Sequence, residues 1–230
     1  MDDLQGKAAV ITGAASGIGL GLAQRFGAEG MRLVLADIEP DALGQAADGL
    51  RSAGIEVVTQ VTDVSDGDQV DELGRVALDA FGAVHLVCNN AGVGGGGLIN
   101  TLTTADWQWV LGVNLWGVIH GIQAFVPAML AGGDDGHVVN TSSGNGGIAP
   151  LISTAIYATT KAAVTTLSEV LWGQLRSVDS RIGVSVLYPG PKVLRTGLLE
   201  SASKRPARWQ NDTPRTTPFT TIASLSLIHI

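Results

Sequence analysis

Two periods run through the chain, and they sort it into elements. Short apolar runs read as strands, and longer stretches with apolar residues at helical spacing read as helices. Ala8–Thr12 is the first such run, and a helix is expected over Leu20–Glu29. A strand at Arg32–Ala36 follows, then a helix over Asp41–Ala53, a strand at Val57–Val61 and a helix over Asp66–Phe81. Val84–Cys88 is the fourth strand, His137–Thr141 the fifth and Arg181–Leu187 the sixth. Between them lie two long helices, Ala105–Leu130 and Ala155–Leu175, the first capped by Thr103 or Thr104. Apolar and aromatic residues go most of the way round the first of these, which predicts a buried helix, partly covered by another protein surface. Strands alternating with helices predict an α/β fold: a doubly wound parallel sheet with helices on both faces, as one domain over residues 1–200.

Composition narrows the class. Of 230 residues, 45% are apolar and 15% charged, which suits a folded domain with a sizeable core rather than a disordered chain. The net charge of −7 argues against nucleic-acid binding through a basic surface. The single cysteine, Cys88, excludes an internal disulfide and a cysteine metal cluster, and its apolar setting makes it a core residue. Met1–Lys7 is acidic and polar, unlike a signal peptide. No apolar run is read as long enough to cross a bilayer. The expectation is a soluble cytoplasmic protein with no membrane partner.

The first strand leads into Gly13-Ala-Ala-Ser16-Gly17-Ile18-Gly19 and then a helix. Strand, glycine turn and helix together aim backbone N–H groups and a helix N-terminus at a pyrophosphate. The second strand ends in Asp37, 24 residues after Gly13. That is about where a carboxylate meets the adenosine ribose, and it would repel a 2′-phosphate, so NAD is expected over NADP. Asp37 has a second possible role, capping the next helix. Thr12, Asp37, Asp63 and Asn90 all fall at or just after strand ends, where ligands of parallel sheets bind. Asn114 lies mid-helix, where an amide needs hydrogen-bond partners: either it is a satisfied core residue or it belongs to the site.

Tyr157 and Lys161 are four residues apart, on one face of the helix Ala155–Leu175. A phenol beside an ammonium is a proton donor and acceptor in the making, because the cation favours the phenolate and is expected to lower the phenol's pKa. By itself the pair is also compatible with two residues sharing a face by chance. Ser142 and Ser143 follow the fifth strand, and only one of them can face a pocket above it, because successive strand side chains point to opposite faces.

Together these residues resemble the short-chain dehydrogenases/reductases. Thr12-Gly13-x-x-x-Gly17-x-Gly19, Asn89-Asn90-Ala91-Gly92, Asn114, Ser143, Tyr157-x-x-x-Lys161 and Pro189-Gly190 stand in that family's order. The glycine spacing is that of its non-extended branch, and the likeness covers roughly residues 6 to 200. It implies a Rossmann-like fold and an NAD(H)-dependent alcohol dehydrogenase or carbonyl reductase. Tyr157 would be the general acid/base and Lys161 its pKa-lowering, ribose-binding neighbour. Ser143 would hydrogen-bond the substrate oxygen, and Asn114 would hold a water linking Lys161 to solvent. The cofactor would lie along Gly13, Ser16, Gly17, Ile18, Gly19, Asp37, Asp63, Val64, Asn90, Ala91, Gly92, Pro189 and Gly190, and touch Tyr157 and Lys161. A small alcohol or carbonyl compound is the expected substrate, of mostly apolar character from Ile148, Leu151, Ile152, Leu194 and Leu198. A homotetramer or homodimer built on the two long helices is the implied assembly. The rival from another class is a cofactor-binding regulator or scaffold without turnover.

The pattern departs from the family near its end. Ser143 and Tyr157 are 14 apart, one more than the commonest family spacing, and Thr196 comes two residues late for a cofactor contact. Residues 201–230 carry +3 (four basic, one acidic) after −10 in residues 1–200 (10 basic, 20 acidic). No seventh strand with a glycine-rich end is legible there, although Leu225–Ile230 is a short apolar run. Two readings of this tail stand open: a variable substrate lid, or an artificial end in which Ser224–Ile230 is foreign to the gene.

Overall fold

The computed structural model describes residues 3–189, 198 and 201–210. Gly190, Leu194, Thr196 and the apolar run Leu225–Ile230 lie outside the described residues. Six parallel strands form one sheet: β1 (Ala8–Thr12), β2 (Arg32–Asp37), β3 (Val57–Val61), β4 (Leu86–Asn89), β5 (Gly136–Thr141) and β6 (Ile182–Leu187). Their order is β3-β2-β1-β4-β5-β6. The chain winds outward from β1 to β3, crosses back to β4, and winds outward the other way. The reversal lies between β1 and β4, and a crevice opens there beyond the strands' carboxyl ends.

Period-two alternation divides the core. Ala8 and Val10 of β1 point to one face, with Val34, Val87 and Val138. That face is covered by α3 (Gly67–Phe81), α5 (Gly117–Gly132) and α7 (Ala155–Ser177), through Leu73, Phe125 and Leu171 among others. Ala9 and Ile11 point the other way, with Leu33, Leu35 and Cys88, onto α1 (Gly17–Ala28) and α2 (Pro40–Ser52). Both faces are therefore dry, and the strands read as continuous apolar runs for that reason. Phe125 is 1% exposed, and its truncation to Ala would cost about 3–5 kcal/mol. Burial pushes the Cys88 thiol up to about 12, which leaves it an inert core group.

The long helix expected over Ala105–Leu130 comes in three pieces without a break in the chain's direction. These are α4 (Thr104–Leu111), a π-helical turn at Gly112–Trp116, and α5. Thr103 caps α4 in a reciprocal capping box with Asp106. The whole span Thr104–Gly132 is 29 residues long with mean hydropathy 1.4. By length and composition it could cross a bilayer, which overturns the reading that no run is long enough; 44% of its most apolar stretch is buried inside this domain. Single polar residues such as Asn114, whose amide is satisfied internally, interrupt the apolar run in the sequence.

Candidate active site

The glycine turn is shaped by contact as much as by freedom. Gly13 has φ +66°, and a Cβ there would sit 2.8 Å from the Ala91 Cα. A Cβ on Gly19 would lie 2.0 Å from the Gly13 carbonyl oxygen and 2.8 Å from Asn90 Nδ2. Thr12 and Asn90 then tie the turn to the end of β4. The Thr12 hydroxyl accepts from the Asn90 and Ala91 N–H groups at 3.0 and 3.1 Å. Asn90 Nδ2 donates back to the Thr12 carbonyl at 3.0 Å. The two glycines make room for the carboxyl ends of β1 and β4 to interlock.

Asp37, at the end of β2, bridges rather than caps. Its carboxylate accepts from the Ala15 N–H of the glycine turn at 3.0 Å and from the Glu39 N–H at 3.2 Å. Asp63, after β3, accepts from the Ser65 hydroxyl at 2.5 Å and from Arg208 Nη2 at 2.6 Å.

Both serines after β5 line the cleft, but Ser142 turns its hydroxyl to α7. Its hydroxyl donates to the Lys161 carbonyl at 2.8 Å and meets Thr165 at 2.9 Å, and the residue is buried under α7. Ser143 faces the cleft. It accepts from the Asn145 N–H at 3.1 Å and lines the same cleft end as Tyr157. The two hydroxyls differ in partner: Ser142 is spent on α7, and Ser143 accepts from the turn at Asn145.

Lys161 Nζ lies 5.8 Å from the centre of the Tyr157 ring and donates to the Thr141 carbonyl at 2.8 Å. Complete burial pushes its pKa down to about 8. Here the sequence expectation needs correction. Burial raises the Tyr157 phenol above its ordinary value, and the hydrogen bond with Ser143 pulls it only partly back. The lysine has no part in this shift: burial lowers its own pKa to about 8, so it has lost its charge before a phenol of raised pKa titrates.

Asn114 is fully buried in the π-helical turn. Its Oδ1 accepts from the Val93 N–H at 2.8 Å, and its Nδ2 donates to the Val93 carbonyl at 3.0 Å and the Thr160 hydroxyl at 3.2 Å. Thr160 in turn donates to the Tyr157 carbonyl at 2.8 Å. The amide is thus a strut between the loop after β4 and the helix that carries Tyr157. Single π-turns are frequent at functional sites because they re-aim one residue.

These groups converge on one cleft of about 360 Å³. Gly13, Ser16, Gly17, Ile18 and Asp37 line it along β1 and β2, and Asp63 and Val64 follow β3. Asn90, Ala91 and Gly92 line its floor, and Ser143, Tyr157, Lys161 and Pro189 its far end. Gly19 and Asn114 sit behind the wall instead and act through what they support. Sequence reasoning missed Thr141 and Thr160, and it missed Lys204 and Pro206, which line the cleft from the tail. The switch from an acidic chain to a basic tail is the signal for Lys204.

The chain belongs to the short chain dehydrogenase family, whose model matches residues 7–206. It is 36% identical over 211 residues to a C alpha-dehydrogenase of Sphingobium sp., covering 91% of this chain and 67% of that one. It superposes with TM-score 0.91 on a short chain dehydrogenase/reductase from Burkholderia phymatum solved in complex with NAD, at 44% identity over 94% of this chain and 76% of that one. A metagenomic short-chain oxidoreductase solved in complex with NADP aligns with TM-score 0.77 and 33% identity, over 83% of this chain and 85% of that one.

Proposed function

We propose that this oxidoreductase interconverts a secondary alcohol and a ketone or aldehyde with NAD(H) as its cofactor. The observation that carries the reading is one cleft lined by a carboxylate at one end and by Ser143, Tyr157 and a buried lysine at the other. The residues fit a dinucleotide. The Gly13–Gly19 cradle is a space that a Cβ would fill, and the backbone N–H groups at the start of α1 border it. Asp37 suits a ribose diol and disfavours a 2′-phosphate, which supports NAD.

The nicotinamide supplies the hydride chemistry when bound. In reduction the Tyr157 phenol gives its proton to the carbonyl oxygen, and in the oxidation direction its phenolate takes the hydroxyl proton of the alcohol. Ser143 holds the same oxygen. Lys161 is held near Tyr157 by the Thr141 carbonyl and would hold the nicotinamide ribose hydroxyls. Such proton transfer is worth about 10²–10⁴ in rate. The test is NADH absorbance against a panel of apolar secondary alcohols and ketones. Turnover with NAD(H) that vanishes in Tyr157→Phe supports the reading; nucleotide binding with no turnover on any of them, unchanged by Tyr157→Phe, would sink it in favour of a regulator.

The assembly belongs to the same proposal. Trp116 on the π-turn and Trp172 on α7 are 51% and 50% exposed, and an apolar aromatic face on the two long helices suits a homodimer or homotetramer. Light scattering of the purified protein, compared with a Trp116→Glu, Trp172→Glu variant, tests it.

A further inference from the structure

The tail segment Ser201–Trp209 is tied to the domain at four places. The Ser201 hydroxyl accepts from the Gly94 N–H at 2.9 Å, just past the Asn90–Gly92 floor. Arg205 pairs with Asp106 of α4 at 2.6 Å, with both side chains largely buried, and its guanidinium lies over Trp109. Trp209 packs with Trp109, Val110 and Ile156 and reaches Gly112 of the π-turn. Arg208 pairs with Asp63 at 2.6 Å, also donates to Ser65, and stacks on Trp209. The segment therefore runs from the loop after β4 to the loop after β3, along the open side of the cleft.

We infer that Ser201–Trp209 is a strap that closes the dinucleotide site and carries Lys204 as the cation for the pyrophosphate, with Arg208 on Asp63 as its latch. This rests on the dinucleotide reading above. Charge and order along the strap argue for it. Among the described residues lining the cleft the acids are Asp37 and Asp63 and the cations are Lys161 and Lys204. Lys161 is committed to Thr141 deep in the site. The glycine turn offers N–H donors but has no cation in its sequence. Lys204 is exposed and lines the cleft, between Ser201 at the floor end and Arg208 at the Asp63 end. The middle of an extended dinucleotide is its pyrophosphate. A compact ammonium suits that group as a point charge, and it would offset the repulsion from Asp37, since Asp63 is already paired with Arg208.

The experiment measures NADH binding by fluorescence in the full-length chain, its dissociation by stopped flow, and displacement of NADH by ADP-ribose and by adenosine. The wild type is compared with Lys204→Gln and Arg208→Gln; both side chains are exposed, so both variants are expected to fold. Lys204→Gln should weaken NADH and ADP-ribose about fivefold, the scale of an exposed ion pair, and flatten their salt dependence, with adenosine unchanged. Arg208→Gln should speed NADH dissociation by a similar factor. Equal affinities and off-rates in all three proteins, or equal weakening of adenosine by Lys204→Gln, overturn the strap. A wild type that binds neither NADH nor ADP-ribose overturns the dinucleotide reading itself, and the strap with it.

Discussion

Lys161 and Thr141 meet in the dry interior, the lysine Nζ donating to the threonine's backbone carbonyl at 2.8 Å. This bond holds the ammonium at the carboxyl end of β5. It also leaves a charge where burial has lowered its pKa from 10.5 to about 8. Between those pH values the unfolded chain keeps a proton that the folded chain has released, so stability rises with pH across that window. Below it, both states are charged and the desolvation cost is felt in full. Lys161→Met removes the cost. Measured by urea unfolding, the variant's stability relative to wild type should fall as pH climbs from about 8 to 10.5. Parallel stability curves would show that the lysine does not titrate in that window.

On the proposed mechanism, Tyr157→Phe removes the proton donor and acceptor and leaves the ring in place. Oxidoreductase rate should drop by about 10²–10⁴. NADH binding, followed by fluorescence, should hold. A variant with near-wild-type turnover would move the acid/base role to another group.

The two serines after β5 should separate cleanly. Ser143→Ala strips Tyr157 of the hydrogen bond that opposes its raised pKa, so activity should fall and its pH profile should move to higher pH. Ser142→Ala loses bonds to the Lys161 carbonyl and Thr165, costing about 1 kcal/mol of stability with a smaller effect on turnover. Steady-state rates beside thermal melts of both variants check the assignment.

The first two elements and most of the site were legible because their signals are local. The Gly13–Gly19 turn follows a strand and opens a helix, and Tyr157 and Lys161 share a helical face by spacing alone. Other parts have no letter to read. The acceptor for Lys161 is a backbone carbonyl, and every residue has one. The direction of the Tyr157 shift depended on burial, which spacing does not report. Ser201–Trp209 shows no period, yet Arg205 and Arg208 anchor it to residues 99 and 145 positions earlier, a separation that sequence patterning does not reach.

Cofactor choice should follow Asp37. Asp37→Ser removes the carboxylate that faces the cleft and keeps a short acceptor for the Ala15 N–H. On the proposed reading, NADPH binding should gain on NADH binding by at least about tenfold, the scale of one lost charge contact. Paired binding titrations with the two reduced nucleotides measure it, and an unchanged ratio would place discrimination elsewhere.

Gly19→Ala puts a methyl group 2.0 Å from the Gly13 carbonyl oxygen. Neither that backbone nor Asn90 has slack, since Asn90 is bonded to Thr12. A loss of about 1–3 kcal/mol in stability is expected, with weakened NADH binding. Thermal melts and titration together read both effects.

The interlock of Thr12, Gly13, Gly19 and Asn90 also bears on protein engineering. A designer who transplants the glycine turn alone into a new scaffold takes a loop whose shape is set from outside. The graft would carry its geometry only if the terminus of the neighbouring strand, with its threonine–asparagine clasp, travelled as part of the same cassette.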